Sequence, residues 1–254
     1  MKISTDSVHK KRGWLAVLFW LAVWQGLSLA VGQKILLASP VDAALALFRL
    51  LPEADFWTTV GRSFCRIALG FLLAAGAGVL LGIASTRSEV LRTLLSPLLH
   101  VIKATPVASF IIVALIWVPS RGLATFISFL MVFPVLYLES AEAVAALPRE
   151  TAEMARVFRV PFARRLRYFY LPTLLPRYRA VCSAALGLAF KAGIAAEVIG
   201  IPSGSLGEKL YTAKIYLNTP ELFAWTAVIV LLSAVTEKVV LRLLRLAEEK
   251  GGRM

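Results

Sequence analysis

The chain has 254 residues, of which 59% are hydrophobic and only 17% charged, with a mean hydropathy of +0.76. Soluble domains carry about 25% charged residues, and one soluble core of this length cannot bury so much apolar surface, so a soluble globular domain is excluded. The formal charge is +13, but the basic residues sit in short segments between hydrophobic runs, which excludes a nucleic-acid surface and fits the loops of a membrane protein.

In chain order, a basic start leads into an apolar run from Trp14 to Val31. The run is long and no A-x-A-like cleavage site follows, so it reads as a retained first span rather than a signal peptide. Residues 32–61 hold Ser39-Pro40, a plausible helix start, and an amphipathic stripe of Val41, Ala44, Leu45, Phe48 and Leu51. That helix is expected on the outer surface. The second span, 62–84, carries Gly70, Ala74, Gly78 and Gly82 four residues apart, a flat face on which another helix backbone can pack closely. Further spans are expected at 97–118, 122–140, 178–200 and 222–241. The fourth contains Pro134, tolerated when neighbours satisfy the freed backbone group. Residues 200–220 are glycine-rich and then polar, a re-entrant or surface loop. Cys65 and Cys182 fall inside apolar stretches and read as buried free thiols, and no repeat of 20–50 residues is visible. The expected fold is all-α, a polytopic membrane protein of about six transmembrane helices.

Lysine and arginine set the orientation. With the N-terminus in the cytoplasm, eighteen of the 28 basic residues fall on the inner side and six, Lys34, Arg49, Arg62, Arg121, Lys209 and Lys214, on the outer side. The positive-inside rule then puts both termini in the cytoplasm. The longest inner segment, about 141–177, includes "EMARVFRVPFARRLRYFYLP" at 153–172. Pro148, Glu150 and Glu153 favour a helix start, and the helix should run to about Phe158. Pro161 begins a second helical stretch bounded by Pro172 and Pro176, with a bend near Arg159–Pro161. Ala152, Ala155 and Arg156 share one face of the first helix, and a short helix exposing small and apolar residues needs a partner.

The segment resembles the EAA loop of binding-protein-dependent ABC transporter permeases. That pattern is E-A-A, three residues, Gly, nine residues, then I-x-L-P. Glu153, Met154 and Ala155 stand at E-A-A, Arg159 at the glycine, and Phe169, Leu171 and Pro172 at I-x-L-P. Leu147-Pro148 fits the L-P that often precedes the motif. "LASP" at 37–40, "SFCRIALGFLLAAGAGVLLG" at 63–82, "IKATPVASF" at 102–110 and "AAEVIGIPSGSLGEKL" at 195–210 resemble segments of the nitrate/sulfonate/taurine branch in the same order.

The resemblance implies one permease domain over 1–254, in the plasma membrane of a prokaryote (the inner membrane if Gram-negative). It implies two copies forming a pathway, two ABC ATPase subunits receiving the coupling loop, and an extracytoplasmic solute-binding protein delivering a small anion or small organic solute. Glu153, Met154, Ala155, Arg156, Arg159, Pro161, Leu171 and Pro172 would make the coupling contact. Arg159 departs from the pattern. Either the bend does not need the positive φ that glycine adopts freely, or it carries strain of about 1–3 kcal/mol. The chain lacks G-x-x-x-x-G-K-[ST], so ATP is expected on the partner and no cofactor on this chain.

Ionisable residues within spans are costly and are functional candidates. Lys191 lies mid-span in "LAFKAGIAAEVIG". Glu197 follows six residues on, about 240° around the helix, so the two do not share a face. Lys103 precedes Thr105-Pro106. Cationic side chains facing a polar passage would suit an anion, whereas a cross-helix Lys–Glu pair or a snorkelling lysine would be structural. A secondary transporter driven by an ion gradient is the alternative function, disfavoured by few acidic residues in the spans and no inverted repeat. A membrane enzyme would need a clustered site, and His9 and His100 are far apart and read as surface residues. No metal site is expected.

Overall fold

A computed structural model describes residues 5–146 and 149–251, and among these there are helices and no strands. In order they are α1 (Thr5–Val31), α2 (Pro40–Leu50), α3 (Ala54–Ser85), α4 (Glu89–Ala104), α5 (Val107–Ala114), α6 (Ser120–Ala145), α7 (Arg149–Val157), α8 (Phe162–Arg165), a π-turn (Leu166–Tyr170), α9 (Leu171–Gly200), α10 (Leu206–Ile215) and α11 (Thr219–Gly251). Among the described residues, α3, α6 and the run Ala163–Gly200 are each long and apolar enough to cross a membrane. The bent pair α4–α5 makes a fourth if counted as one span. The protein is an all-α membrane protein.

The centre is a stack in which α6 lies between α3 and α9, and α11 covers α9. The glycine row on α3 explains the tightest contact. A Cβ on Gly70 would lie 2.4 Å from the Thr125 carbonyl oxygen, and one on Gly82 2.5 Å from the Ser140 Cβ. Gly78 leaves only 3.0 Å to the Leu136 backbone, and Ala74 between them is fully buried. The small-residue face is therefore a packing face, against which α6 lies backbone to backbone. Pro134 is buried within α6, and the helix continues through it. One turn on, Ser140 and Tyr178 both donate to the Leu136 carbonyl, at 2.6 and 3.2 Å, tying α6 to α9.

The expected span 97–118 is two helices bent by 108°. Thr105 stands at φ −84°, ψ 133° before Pro106. A residue ahead of proline is pushed out of the α region, and Pro106 cannot donate to the preceding turn, so the helix breaks there. The second half of the inner segment also differs from expectation. Pro172 and Pro176 do not bound a separate helix; Pro172 sits in the first turn of α9, where its missing N–H is harmless, and the run from 163 continues through the π-turn. The stretch 200–220 is not merely a loop. Ser205 caps α10 by accepting from the Glu208 amide at 3.0 Å, while Glu208 reaches back to the Gly204 amide at 2.6 Å. This is a capping-box arrangement one residue displaced.

Helix α2 starts as expected, with Ser39 accepting from the Asp42 amide at 3.1 Å. Val41, Leu45 and Phe48 point outward, and Ala43 is buried. Lys34 and Ser39 both donate to the Asp42 carboxylate at 2.8 Å, which holds its pKa below the usual carboxylate value. At the same end Trp225 of α11 stacks on Phe56 of α3 with ring centres 5.2 Å apart, and Trp24 of α1 meets Phe223 at 5.0 Å. Elsewhere α1 exposes apolar side chains such as Leu18, Phe19 and Trp20. Cys182 is buried as expected, but Cys65 is exposed on the outward face of α3.

Candidate coupling segment and membrane pathway

Helix α7 ends in a Schellman turn. Val160 N–H donates to the Ala155 carbonyl at 3.0 Å, and Phe158 N–H to the Met154 carbonyl at 3.0 Å. The residue between them, Arg159, has φ +48°. This is the left-handed position that glycine usually fills at a helix C-terminus. Of the two alternatives for Arg159, the strained one holds: the bend needs positive φ, and arginine adopts it at about 1–2 kcal/mol. Arg165 Nε then donates to the Val160 carbonyl at 2.5 Å, drawing α8 back over the turn.

This construction leaves an apolar face uncovered. Met154, Val157 and Phe158 are 44%, 76% and 75% exposed, whereas Ala155 is buried. Glu153, Arg159 and Pro161 are exposed, as are Leu171 and Pro172. The side chain of Arg156, and the pair Leu147-Pro148, lie outside the described residues. Tyr170, in the π-turn, is buried and accepts a hydrogen bond from Arg87 in the turn between α3 and α4, whose guanidinium also sits 5.6 Å from the Tyr170 ring centre. The π-turn is therefore clasped to the α3–α4 turn by a contact between residues far apart in sequence. Between α4, α6 and this segment lies a cavity of about 1200 Å³.

The four candidate pathway residues are not brought together. Lys103 lines that cavity, and Thr105 sits at the α4–α5 elbow, half-buried. Lys191 lies about two-thirds of the way along α9, on an exposed stripe with Ala184 and Ile199, facing away from the rest of the chain. Glu197 lies towards the opposite end of the molecule from α7, fully buried in a corner where α9, α10 and α3 meet. Its Oε1 accepts from Arg66 Nη1 at 3.1 Å, and its Oε2 from Ser63 Oγ at 2.6 Å and the Gly207 amide at 3.3 Å. Ser63 Oγ in turn accepts from the Leu206 amide at 2.9 Å. The carboxylate thus meets a guanidinium and also the first turn of α10, whose free N–H groups favour negative charge. Neither a Lys–Glu pair nor an aqueous setting describes Glu197; its partner is Arg66.

In the sequence Ser63 and Arg66 stand out only within the 63–82 segment that resembles the permease branch, with no partner assigned, and Arg87 and Tyr170 carry no site role. The usable signal for the first two was periodicity. Ser63 and Arg66 are three apart and so share a face of α3, and a buried arginine demands an acid within reach. Arg87 and Tyr170 left no such signal, since their meeting depends on how the chain turns at both ends. Among the described residues no three His, Cys, Asp or Glu side chains are placed to hold a metal.

Comparison with known proteins agrees with this architecture. Over 98% of its length the chain is 26% identical to a protein named as an aliphatic sulfonates transport permease of Bacillus subtilis, covering 92% of that protein. It is 29% identical over 72% of its length to the bicarbonate transport system permease protein of Synechococcus elongatus, covering 69% of it. It is 25% identical over 73% of its length to the taurine transport system permease protein of Escherichia coli, covering 67%. Residues 74–250 match the family described as the inner membrane component of binding-protein-dependent transport systems. An all-α membrane core, an exposed segment between two of its long helices and this match over most of the chain lead to one conclusion: the chain belongs to the family of inner membrane permeases of binding-protein-dependent ABC transporters.

Proposed function

We propose that this chain is the pathway-forming subunit of an ATP-driven importer for a small anion. Its six membrane crossings would be α1, α3, the bent pair α4–α5, α6, α9 and α11, with both termini in the cytoplasm. It would work as two copies with two ATPase subunits and an extracytoplasmic binding protein. The observation that carries the reading is the uncovered face of α7: Met154, at the middle E-A-A position of the motif, and Val157 and Phe158 just after it stand exposed. An apolar face built on a capped helix is a socket for a partner of matching shape.

Glu153, Met154, Ala155, Arg156, Arg159, Pro161, Leu171 and Pro172 are assigned to the coupling contact. Ala155 seats the helix on the bundle, and Arg159 sets the angle at which it leaves. The pathway runs where Lys191 points, along the outward stripe of α9, which a second copy would face. Lys103 and Thr105 lie on its inner side, and Glu197 braces its outer rim through Arg66. The anion assignment follows from these lysines and from the relatives' names, since sulfonates, bicarbonate and taurine each carry an anionic head.

The test is reconstitution with the ATPase and binding protein. Val157→Asp with Phe158→Asp should leave the permease folded and inserted but abolish binding-protein-stimulated ATP hydrolysis and uptake. Normal hydrolysis and uptake by that variant would reject the coupling assignment. Uptake that survives ATP depletion but collapses with an ionophore would favour the ion-gradient alternative.

A further inference from the structure

The cavity beside the coupling segment is lined on one side by a single stripe of α4. Arg92, Ser96, His100 and Lys103 recur every three to four residues and so share a helix face. The opposite face of α4 exposes Val90, Leu94, Leu98 and Val101, so the helix has an apolar side for lipid and a basic side for the cavity. Arg87 lines it from the α3–α4 turn and Arg165 from α8.

None of these four cations, Arg87, Arg92, Lys103 or Arg165, is in an ion pair among the described residues. Arg87 meets the neutral Tyr170 hydroxyl and Arg165 a backbone carbonyl, and neither contact neutralises charge. Two carboxylates, Glu89 and Glu142, also line the cavity, and among the described residues neither is in an ion pair with a cation. Glu89 stands in the first turn of α4, where the helix dipole favours it. The cavity therefore keeps a net positive charge inside low-dielectric walls, which concentrates anions.

We propose that this cavity is a binding site for a small tetrahedral oxyanion, a sulfate, sulfonate or phosphate group, held by the lining arginines Arg87, Arg92 and Arg165 beside the coupling segment, with Lys103, about 16 Å further along α4, adding its charge to the field. An arginine fork suits such an oxyanion, and lysine adds a point charge. Because the far wall is the coupling segment itself, an occupant ties that segment to α4. The same chemistry is carried by a free anion and by the phosphate of an anionic lipid at the membrane surface.

The experiment uses the full chain alone in nanodiscs, with neither ATPase nor binding protein present, so its result does not depend on the transport reading. Labelled inorganic sulfate is the probe, at constant ionic strength with gluconate as the balancing anion, in phosphatidylcholine discs with and without phosphatidylglycerol. The wild type should bind sulfate saturably in phosphatidylcholine, and hydrogen exchange at 166–170 should slow with occupancy. Arg92→Gln with Lys103→Gln should weaken binding at least tenfold, Arg165→Gln severalfold, and Arg49→Gln on α2 not at all. Sulfate binding that phosphatidylglycerol suppresses supports a site filled by lipid phosphate; binding equal in both supports a free anion. Two results overturn the proposal: no saturable sulfate binding with no retained phosphatidylglycerol, or wild-type affinity in the folded Arg92→Gln/Lys103→Gln protein.

Discussion

The two ends of the bundle are built on opposite principles. At the α3–α9–α10 corner a buried carboxylate is met by Arg66, Ser63 and a backbone amide, and the next amide is taken by the same serine. At the α7–α8 end two apolar side chains stand more than 70% exposed, an arginine sits in a glycine conformation, and four cations line a cavity without an ion pair among the described residues. The first end satisfies itself; the second is complete only with something added. In a subunit of a larger machine, local self-sufficiency marks what must stay fixed, and local incompleteness marks where other components attach.

Breaking the satisfied corner should have the largest effect. Glu197→Ala leaves Arg66 in a mostly buried site without its partner, so a loss of about 3–5 kcal/mol is expected, read as a lower unfolding temperature in detergent. Glu197→Gln should lose less, because an amide oxygen can still accept from Ser63 and Gly207. Equal stability of Glu197→Ala and wild type would mean that this corner is not the rigid end. Gly82→Val should rank close behind, since its side chain has only 2.5 Å to Ser140 Cβ; overpacking of this kind costs about 1–3 kcal/mol.

Lys191 lies between the two ends and tests the pathway. Lys191→Met should reduce uptake about tenfold, roughly 1.4 kcal/mol in barrier height, while ATPase assembly stays intact. Unchanged uptake would remove this residue from the anion's route. At the unsatisfied end, Arg159→Gly should relieve the left-handed penalty, offset by glycine's greater freedom in the unfolded chain, for a net local gain below about 1 kcal/mol. Slower hydrogen exchange over 153–160 would register it, and faster exchange would show that the arginine side chain supports the turn.

The smallest effect concerns α2. The Asp42 carboxyl is held below its usual value of 3.8, chiefly by the Lys34 hydrogen bond. A depressed folded-state pKa contributes stability that is present above the unfolded value and is lost as pH falls through the folded one. A pH titration should find Asp42 below 3.8 and Lys34→Met should move it upward; no movement would assign the shift to Ser39 instead.

Much of this contrast was legible in the sequence, for identifiable reasons. The glycine row spelled out the α3–α6 contact because close backbone approach admits few other residues. Ser39-Pro40 and Glu150 announced helix starts because unpaired N–H groups restrict what can stand there. The Arg159 position flagged itself as soon as it was compared with a glycine. Three features were misjudged because hydropathy averages over local chemistry. Thr105-Pro106 interrupts an apolar run that scores as continuous. Pro172 and Pro176 read as boundaries although Pro172 stands in the first turn of α9, which tolerates proline, and the helix continues through Pro176. Ser205 and Glu208 cap a helix inside a stretch whose glycines suggested a loop. The need of Arg66 for an acid was readable but not which acid, and the Arg87–Tyr170 contact was out of reach, since each contact joins residues more than eighty positions apart.

The glycine seam has a mechanical consequence. Side chains normally act as a compliant layer between helices, letting one slide or roll by changing rotamers. Where α3 meets α6 that layer is missing, and the backbones touch directly. Such a joint has nothing to deform, so the two helices travel as one plate. Relative motion within the chain must then be taken up at softer places, and the sharpest of these is the α4–α5 elbow at Thr105-Pro106, where among the described residues no backbone hydrogen bond spans the break.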